Sequence, residues 1–168
     1  MVGKFVLGVT GPTGAGKSTV CEILRSLGVY VIDTDKIAHE VMAPGSQCLA
    51  ETRAVFGSGI MNLDGTLNRK KLGNIVFSDN EALKKLSEIS HKHITRIVRY
   101  ELLQTKSKIC AVDGAVLIGS GCDKLCDIIV SVIADPETRM ARIKARDAIG
   151  DEDAKKRIDS QKSNEINI

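Results

Sequence analysis

The hydrophobic positions change period along the chain, and each change marks an element. Residues 5–10 (Phe5-Val6-Leu7-Gly8-Val9-Thr10) form a short apolar run of the buried-strand kind. Residues 17–27 then place Val20, Ile23, Leu24 and Leu27 at threes and fours, which predicts a helix with one apolar face. Val29-Tyr30-Val31-Ile32-Asp33 predicts a second strand that ends on a carboxylate. A helix is expected over 35–42, stopped by Pro44-Gly45, and another over 47–56. Glycines and an Asp64-Gly65 turn break 57–68. Helical spacing returns over 69–77 and 79–106, the second carried by Leu83, Leu86, Ile89, His93/Ile94, Ile97 and Tyr100/Glu101. Strands are predicted again at 108–113 and 127–133. Pro136 opens a helix to about Arg146, and a last helix starts near Asp151.

Four apolar strands separated by helices predict an α/β fold, a parallel sheet with helices on both faces. Such sheets bind ligands beyond the carboxyl ends of their strands, here Thr10, Asp33, Asp113 and Asp135. The helical stretch between the second and third strands exceeds what a crossover needs and reads as a substrate-binding insertion.

The turn after the first strand carries the chemistry. Gly11-Pro12-Thr13-Gly14-Ala15-Gly16-Lys17-Ser18 matches the phosphate-binding loop G-x-x-x-x-G-K-[ST], flanked by the strand and helix that this pattern requires. Glycines let successive N–H groups converge at a helix N-terminus, where unpaired donors and the helix dipole attract a polyphosphate. Lys17 supplies a charge for the β- and γ-phosphates, the Ser18 hydroxyl suits Mg²⁺, and Thr19 completes the ATP-binding run.

Two further patterns lie near that loop in the predicted topology. Asp33-Thr34-Asp35 puts two carboxylates on a strand-to-helix turn. There they can support Mg²⁺ and accept a proton from a substrate hydroxyl, or one of them can cap the helix. On the helix from Pro136, Arg139, Arg142 and Arg146 stack along one face. That stripe is either a solvated face or a lid that brings arginines onto a transferring phosphoryl group, with Arg142 and Arg146 preferred.

Composition narrows the partners. The 168 residues fit one domain with an adequate core. A net charge of +3, from 24 basic and 21 acidic residues, gives no nucleic-acid signature, and no aromatic-interleaved basic patch is present. No apolar run reaches 18 residues, so no membrane span is expected, and nothing at the start reads as a signal peptide. The five cysteines lack zinc-site spacing and read as buried or incidental thiols, which suits a reducing cytoplasm.

These motifs together resemble the dephospho-CoA kinase family. The resemblance runs through G-V-T-G-P-T-G-A-G-K-S at 8–18, L-G-V-Y-V-I-D-T-D at 27–35 and Ile37-Ala38 to Val41 with Pro44-Gly45. It continues in D-G-T-L-N-R at 64–69, I-V-F-S-D at 75–79, His91, D-P-E-T-R at 135–139 and R-I-K-A-R-D at 142–147. It implies a P-loop kinase that moves the γ-phosphoryl of ATP, with Mg²⁺, to the ribose 3′-hydroxyl of dephospho-CoA, the last step of coenzyme A synthesis. Carried onto this chain, Asp35 resembles the carboxylate that faces the 3′-hydroxyl, with Asp33 supporting it or the metal. Arg69 and His91 lie in what resembles the CoA-binding insertion, and Arg142 and Arg146 resemble lid arginines; His93 reads as structural.

The division implied is a core of 1–45 and 107–168, an insertion of 46–106 and a lid of 136–150. Two departures stand out. Ala115 and Gly119 occupy positions where the family generally has Pro and an acidic residue. The family also continues past Gln161 into a further strand and helix, so the C-terminus is expected to be shortened and the chain to stop inside a helix. Two other readings remain at this point: another small-molecule P-loop kinase, and a nucleotide binder without catalysis.

Overall fold

The computed structural model describes residues 3–162. Its elements are β1 (Phe5–Thr10), α1 (Lys17–Ser26), β2 (Tyr30–Asp33), α2 (Thr34–Glu40), α3 (Gln47–Phe56), α4 (Arg69–Val76), α5 (Asn80–Gln104), β3 (Ile109–Asp113), β4 (Ile128–Ser131), α6 (Pro136–Asp147) and α7 (Asp151–Lys162). The expected end of the last helix at Ile168 lies outside the described residues.

The strands form one parallel sheet in the order β2-β3-β1-β4. Parallel pairing is what short apolar strands joined by helices must adopt, since a hairpin cannot link them. Val9 and Asp33 both register with Asp113, so three strand ends finish side by side. One face of the sheet carries the main core, where Ile32, Cys110 and Val112 pack with Ile37 of α2 and Ile94, Val98 and Leu102 of α5. A smaller core of Ile60, Leu72, Val76 and Ala82 joins α4 to the start of α5 and the turn before α4.

The opposite face is covered less completely than the sequence predicts. α1 lays Cys21, Val20 and Leu24 against Val9 and Ala111. Ile23 and Leu27, expected on that same apolar face, are exposed, as are Ile128 and Val130 on the edge strand β4. The helix is rotated so that Cys21 points at the sheet. Periodicity identified the correct helix but not the centre of its buried stripe.

The thiols follow the sequence reading, with Cys21, Cys48, Cys110 and Cys122 buried and all five cysteines unbridged. His93 is also structural: it is buried on α5 with Nε2 3.2 Å from Glu51 of α3.

The join between β3 and α2 is tight. Thr34 Oγ1 donates to the Asp113 carbonyl at 2.8 Å, and a methyl group at Gly114 would overlap that hydroxyl. Gly114→Ala should therefore destabilise the protein by about 1–3 kcal/mol in urea unfolding. Adding Thr34→Ala removes the overlapping atom, so the double variant should cost less than the sum of the two single changes.

Candidate active site

The phosphate loop is closed by backbone conformations that side chains resist. Gly11, Gly14 and Gly16 have φ of 145°, 78° and 103°. Gly14 has a second constraint, because a Cβ there would lie 2.7 Å from the Arg139 carbonyl. Ala15 N–H donates to Pro12 O at 3.1 Å, which folds the loop back before Gly16 starts α1. Lys17 opens the helix, and the Ser18 and Thr19 side chains lie in its exposed first turn.

Lys17 turns toward the end of β3. Its Nζ is 2.6 Å from Asp113 Oδ1, and both side chains are largely buried. The sequence places Asp113 at a strand end, among the carboxylates around the loop and able to cover for the acidic residue missing at Gly119, without pairing it to Lys17. Its position after an apolar strand, in register with Asp33, was the available signal. The Cys21 thiol donates to the same carboxylate; burial first, and then Asp113, push its pKa up to about 11.

The Asp33-Thr34-Asp35 turn divides its labour. Asp33 is the N-cap of α2, and its Oδ1 accepts the Lys36 N–H at 2.9 Å. Asp35 sits in the first turn of that helix, exposed to solvent on one side and turned toward Lys17 and Asp113 on the other. Burial is the main reason its pKa is raised, helped by Asp33 and Asp113 and opposed by Lys17 and the Ala115 N–H. Three carboxylates and one lysine thus share a neighbourhood. Asp135 is occupied elsewhere, capping α6 through Thr138 N–H at 2.8 Å.

The arginine stripe on α6 splits three ways. Arg139 is buried, and its Nε donates to Thr13 O at 3.0 Å. Arg142 Nη1 donates to Ala15 O at 2.9 Å and to Gly14 O at 3.3 Å. Arg146 does not reach the loop; it pairs with Asp147 at 2.8 and 2.9 Å, and Arg157 binds that carboxylate too. The preference for Arg142 and Arg146 had passed over Arg139, which the fold carries to the loop.

The substrate-side residues lie apart. Arg69 is exposed at the first position of α4. His91 lines a cleft of about 680 Å³ between α5 and the loop before β4, with Lys92, Arg96, Arg99 and Lys124. Burial holds its pKa below the usual histidine range, with Asp123 opposing, so it is neutral at pH 7. Gly119 forms part of this cleft's wall.

Breaking the Lys17–Asp113 pair from one side leaves a largely buried charge without its partner. Lys17→Met and Asp113→Asn should each destabilise the protein, and their double variant should lose less than the sum, with a coupling of about 1–3 kcal/mol. A double-mutant cycle in urea measures it.

Comparison with known proteins accords with this geometry. A family model described as dephospho-CoA kinase matches residues 5–167. The dephospho-CoA kinase of Geobacter sulfurreducens is 36% identical over 159 residues, which cover 93% of this chain and 81% of that protein. That of Listeria monocytogenes serovar 1/2a is 37% identical over 163 residues, 95% of this chain and 81% of its own. Among solved structures, a Thermus thermophilus protein superposes with a TM-score of 0.78 at 30% identity, covering 92% of this chain and 78% of that one. Dephospho-CoA kinase from Campylobacter jejuni superposes with a TM-score of 0.61 at 31% identity, covering 94% and 80%. A loop with a lysine and a buried aspartate beside it, on this topology and with these relatives, has one family behind it: the chain belongs to the dephospho-CoA kinases.

Proposed function

We propose that this chain transfers the γ-phosphoryl group of ATP to the ribose 3′-hydroxyl of dephospho-CoA, giving coenzyme A. The observation that carries the reading is the placement of Asp35 in the first turn of α2, in the field of the phosphate-loop Lys17 and beside Asp33 and Asp113. Phosphoryl transfer asks chiefly for positioning and charge neutralisation, so one oriented carboxylate that accepts the hydroxyl proton suffices.

Each residue then has a task. The loop from Gly11 to Thr19 binds the phosphates of ATP through backbone N–H groups, with Pro12, Thr13 and Ala15 shaping it. Lys17 leaves Asp113 to meet the β- and γ-phosphates. Arg142 holds the loop from behind, and Arg146 reaches the nucleotide by exchanging Asp147 for phosphate.

Ser18 and Asp33 are the residues that would hold Mg²⁺. Among the described residues no three metal-binding side chains cluster. Mg²⁺ commonly keeps several waters and binds through one or two carboxylates and the substrate phosphates. The donor set of a hydroxyl and a carboxylate fits it, since Asp33 bonds through Oδ1 as a cap and keeps Oδ2. When bound, the ion neutralises charge on the phosphate oxygens.

The helical stretch 46–106 forms the acceptor side, with Arg69 and His91 on dephospho-CoA, and 136–150 the lid. No described helix is long and apolar enough to cross a membrane. A cytoplasmic enzyme acting on small molecules and not on nucleic acid agrees with the unbridged thiols and the balanced charge.

The direct test is coenzyme A formation from Mg-ATP and dephospho-CoA, followed by mass spectrometry. Asp35→Asn should abolish turnover and leave ATP affinity within about threefold; retained turnover removes Asp35 from the base role. Because the Asp35 pKa is raised, the acid limb of kcat/KM should lie above the ordinary carboxylate range. Asp33→Asn keeps a good cap but removes a neighbouring charge, so that limb should move to lower pH.

A further inference from the structure

Among the described residues, Arg139 is a buried cation whose charge no neighbour neutralises. It sits on α6 with 8% of its surface exposed, yet an arginine is among the residues least often buried without a partner. Among the described residues no carboxylate pairs with it. Nε donates to Thr13 O at 3.0 Å, while Nη2 is buried and has no hydrogen-bond partner. A largely desolvated cation with an unused donor costs stability, and an apolar side chain in its place would cost less.

Its surroundings show what the charge faces. The backbone of Arg139 lies against the phosphate loop so closely that Gly14 has no room for a Cβ. Ile143, one turn on, also meets Gly14 and is anchored by Ala154 and Ile158 of α7. Arg142 continues the same contact through Gly14 O and Ala15 O. Three consecutive loop carbonyls are therefore held by two guanidinium groups.

A cation on the carbonyl side of a peptide polarises it, which makes the N–H on the other side a stronger donor. The Thr13 carbonyl belongs to the same peptide unit as the Gly14 N–H, inside the run that turns its donors toward a polyphosphate.

We propose that Arg139 is a positioning residue for nucleotide phosphates. It polarises and fixes the Thr13–Gly14 peptide, and its buried positive charge is compensated only when a polyphosphate occupies the loop. The protein carries the cost of an unpaired guanidinium in the nucleotide-free state and regains it on binding. The inference rests on the loop being the ATP site, as proposed above.

Calorimetry with ADP and with inorganic tripolyphosphate, together with thermal unfolding, tests it on the full chain. Arg139→Gln should weaken both ligands by about tenfold, in line with loss of one charge-assisted hydrogen bond. KM for dephospho-CoA should stay within about twofold. The nucleotide-free variant should melt no lower than the parent, because a buried uncompensated charge has been removed. Arg139→Lys, which keeps the charge without the fork, should recover part of the affinity for both ligands.

A nucleotide-free Tm that drops makes Arg139 a strut of the fold and overturns the proposal. So does weakened ADP binding with tripolyphosphate unaffected, or unchanged affinity for both. If the parent chain binds neither ligand, the reading of the loop itself fails, which is a separate result.

Discussion

Asp113 is the point at which the two halves of the site are tied together. Its carboxylate holds Lys17 at 2.6 Å and accepts from Cys21, both on the helix that leaves the phosphate loop. Its carbonyl accepts from Thr34, which starts the helix bearing Asp35. One residue at the end of a central strand thus fixes Lys17 and the helix bearing Asp35 relative to each other. The register supports this, since Val9 and Asp33 flank Asp113 on neighbouring strands. A shift of β3 by one residue would turn this carboxylate to the opposite face of the sheet.

That arrangement also sets the electrostatics. Desolvation first, and then Asp33 and Asp113, raise the cost of ionising Asp35, and Lys17 offsets part of it. Asp35 feels both neighbouring carboxylates and Lys17, while Asp33 caps the helix through Oδ1. A carboxylate of raised pKa and a paired lysine come from the same small set of contacts. Cys21 lies behind them as a thiol that stays protonated near neutral pH, so it packs without adding charge.

On the far side of the loop, α6 backs the loop carbonyls. Arg139 and Arg142 bond three loop carbonyls, and Ile143 links the contact to α7. The conformation of the loop therefore depends on residues more than a hundred positions later in the chain. Arg146, facing Asp147, is the member of the stripe that remains outside this contact.

The sequence by itself determined the phosphate loop, the Asp33-Thr34-Asp35 turn, the order of strands and helices and the family, because these depend on local pattern: a glycine spacing, a period, a carboxylate at a strand end. It located Asp113 without showing its use, since an ion pair between residues 17 and 113 has no local signature. Periodicity also grouped Arg139, Arg142 and Arg146, and likewise Ile23 and Leu27 with the buried side of α1. Shared spacing states which residues lie on one face of a helix, not what that face will meet. Only the tertiary structure decided that Arg139 is enclosed against the loop, that Arg146 turns to Asp147, and that Cys21 rather than Ile23 faces the sheet. Those outcomes depend on how whole elements dock, and docking is fixed by contacts distant in the chain.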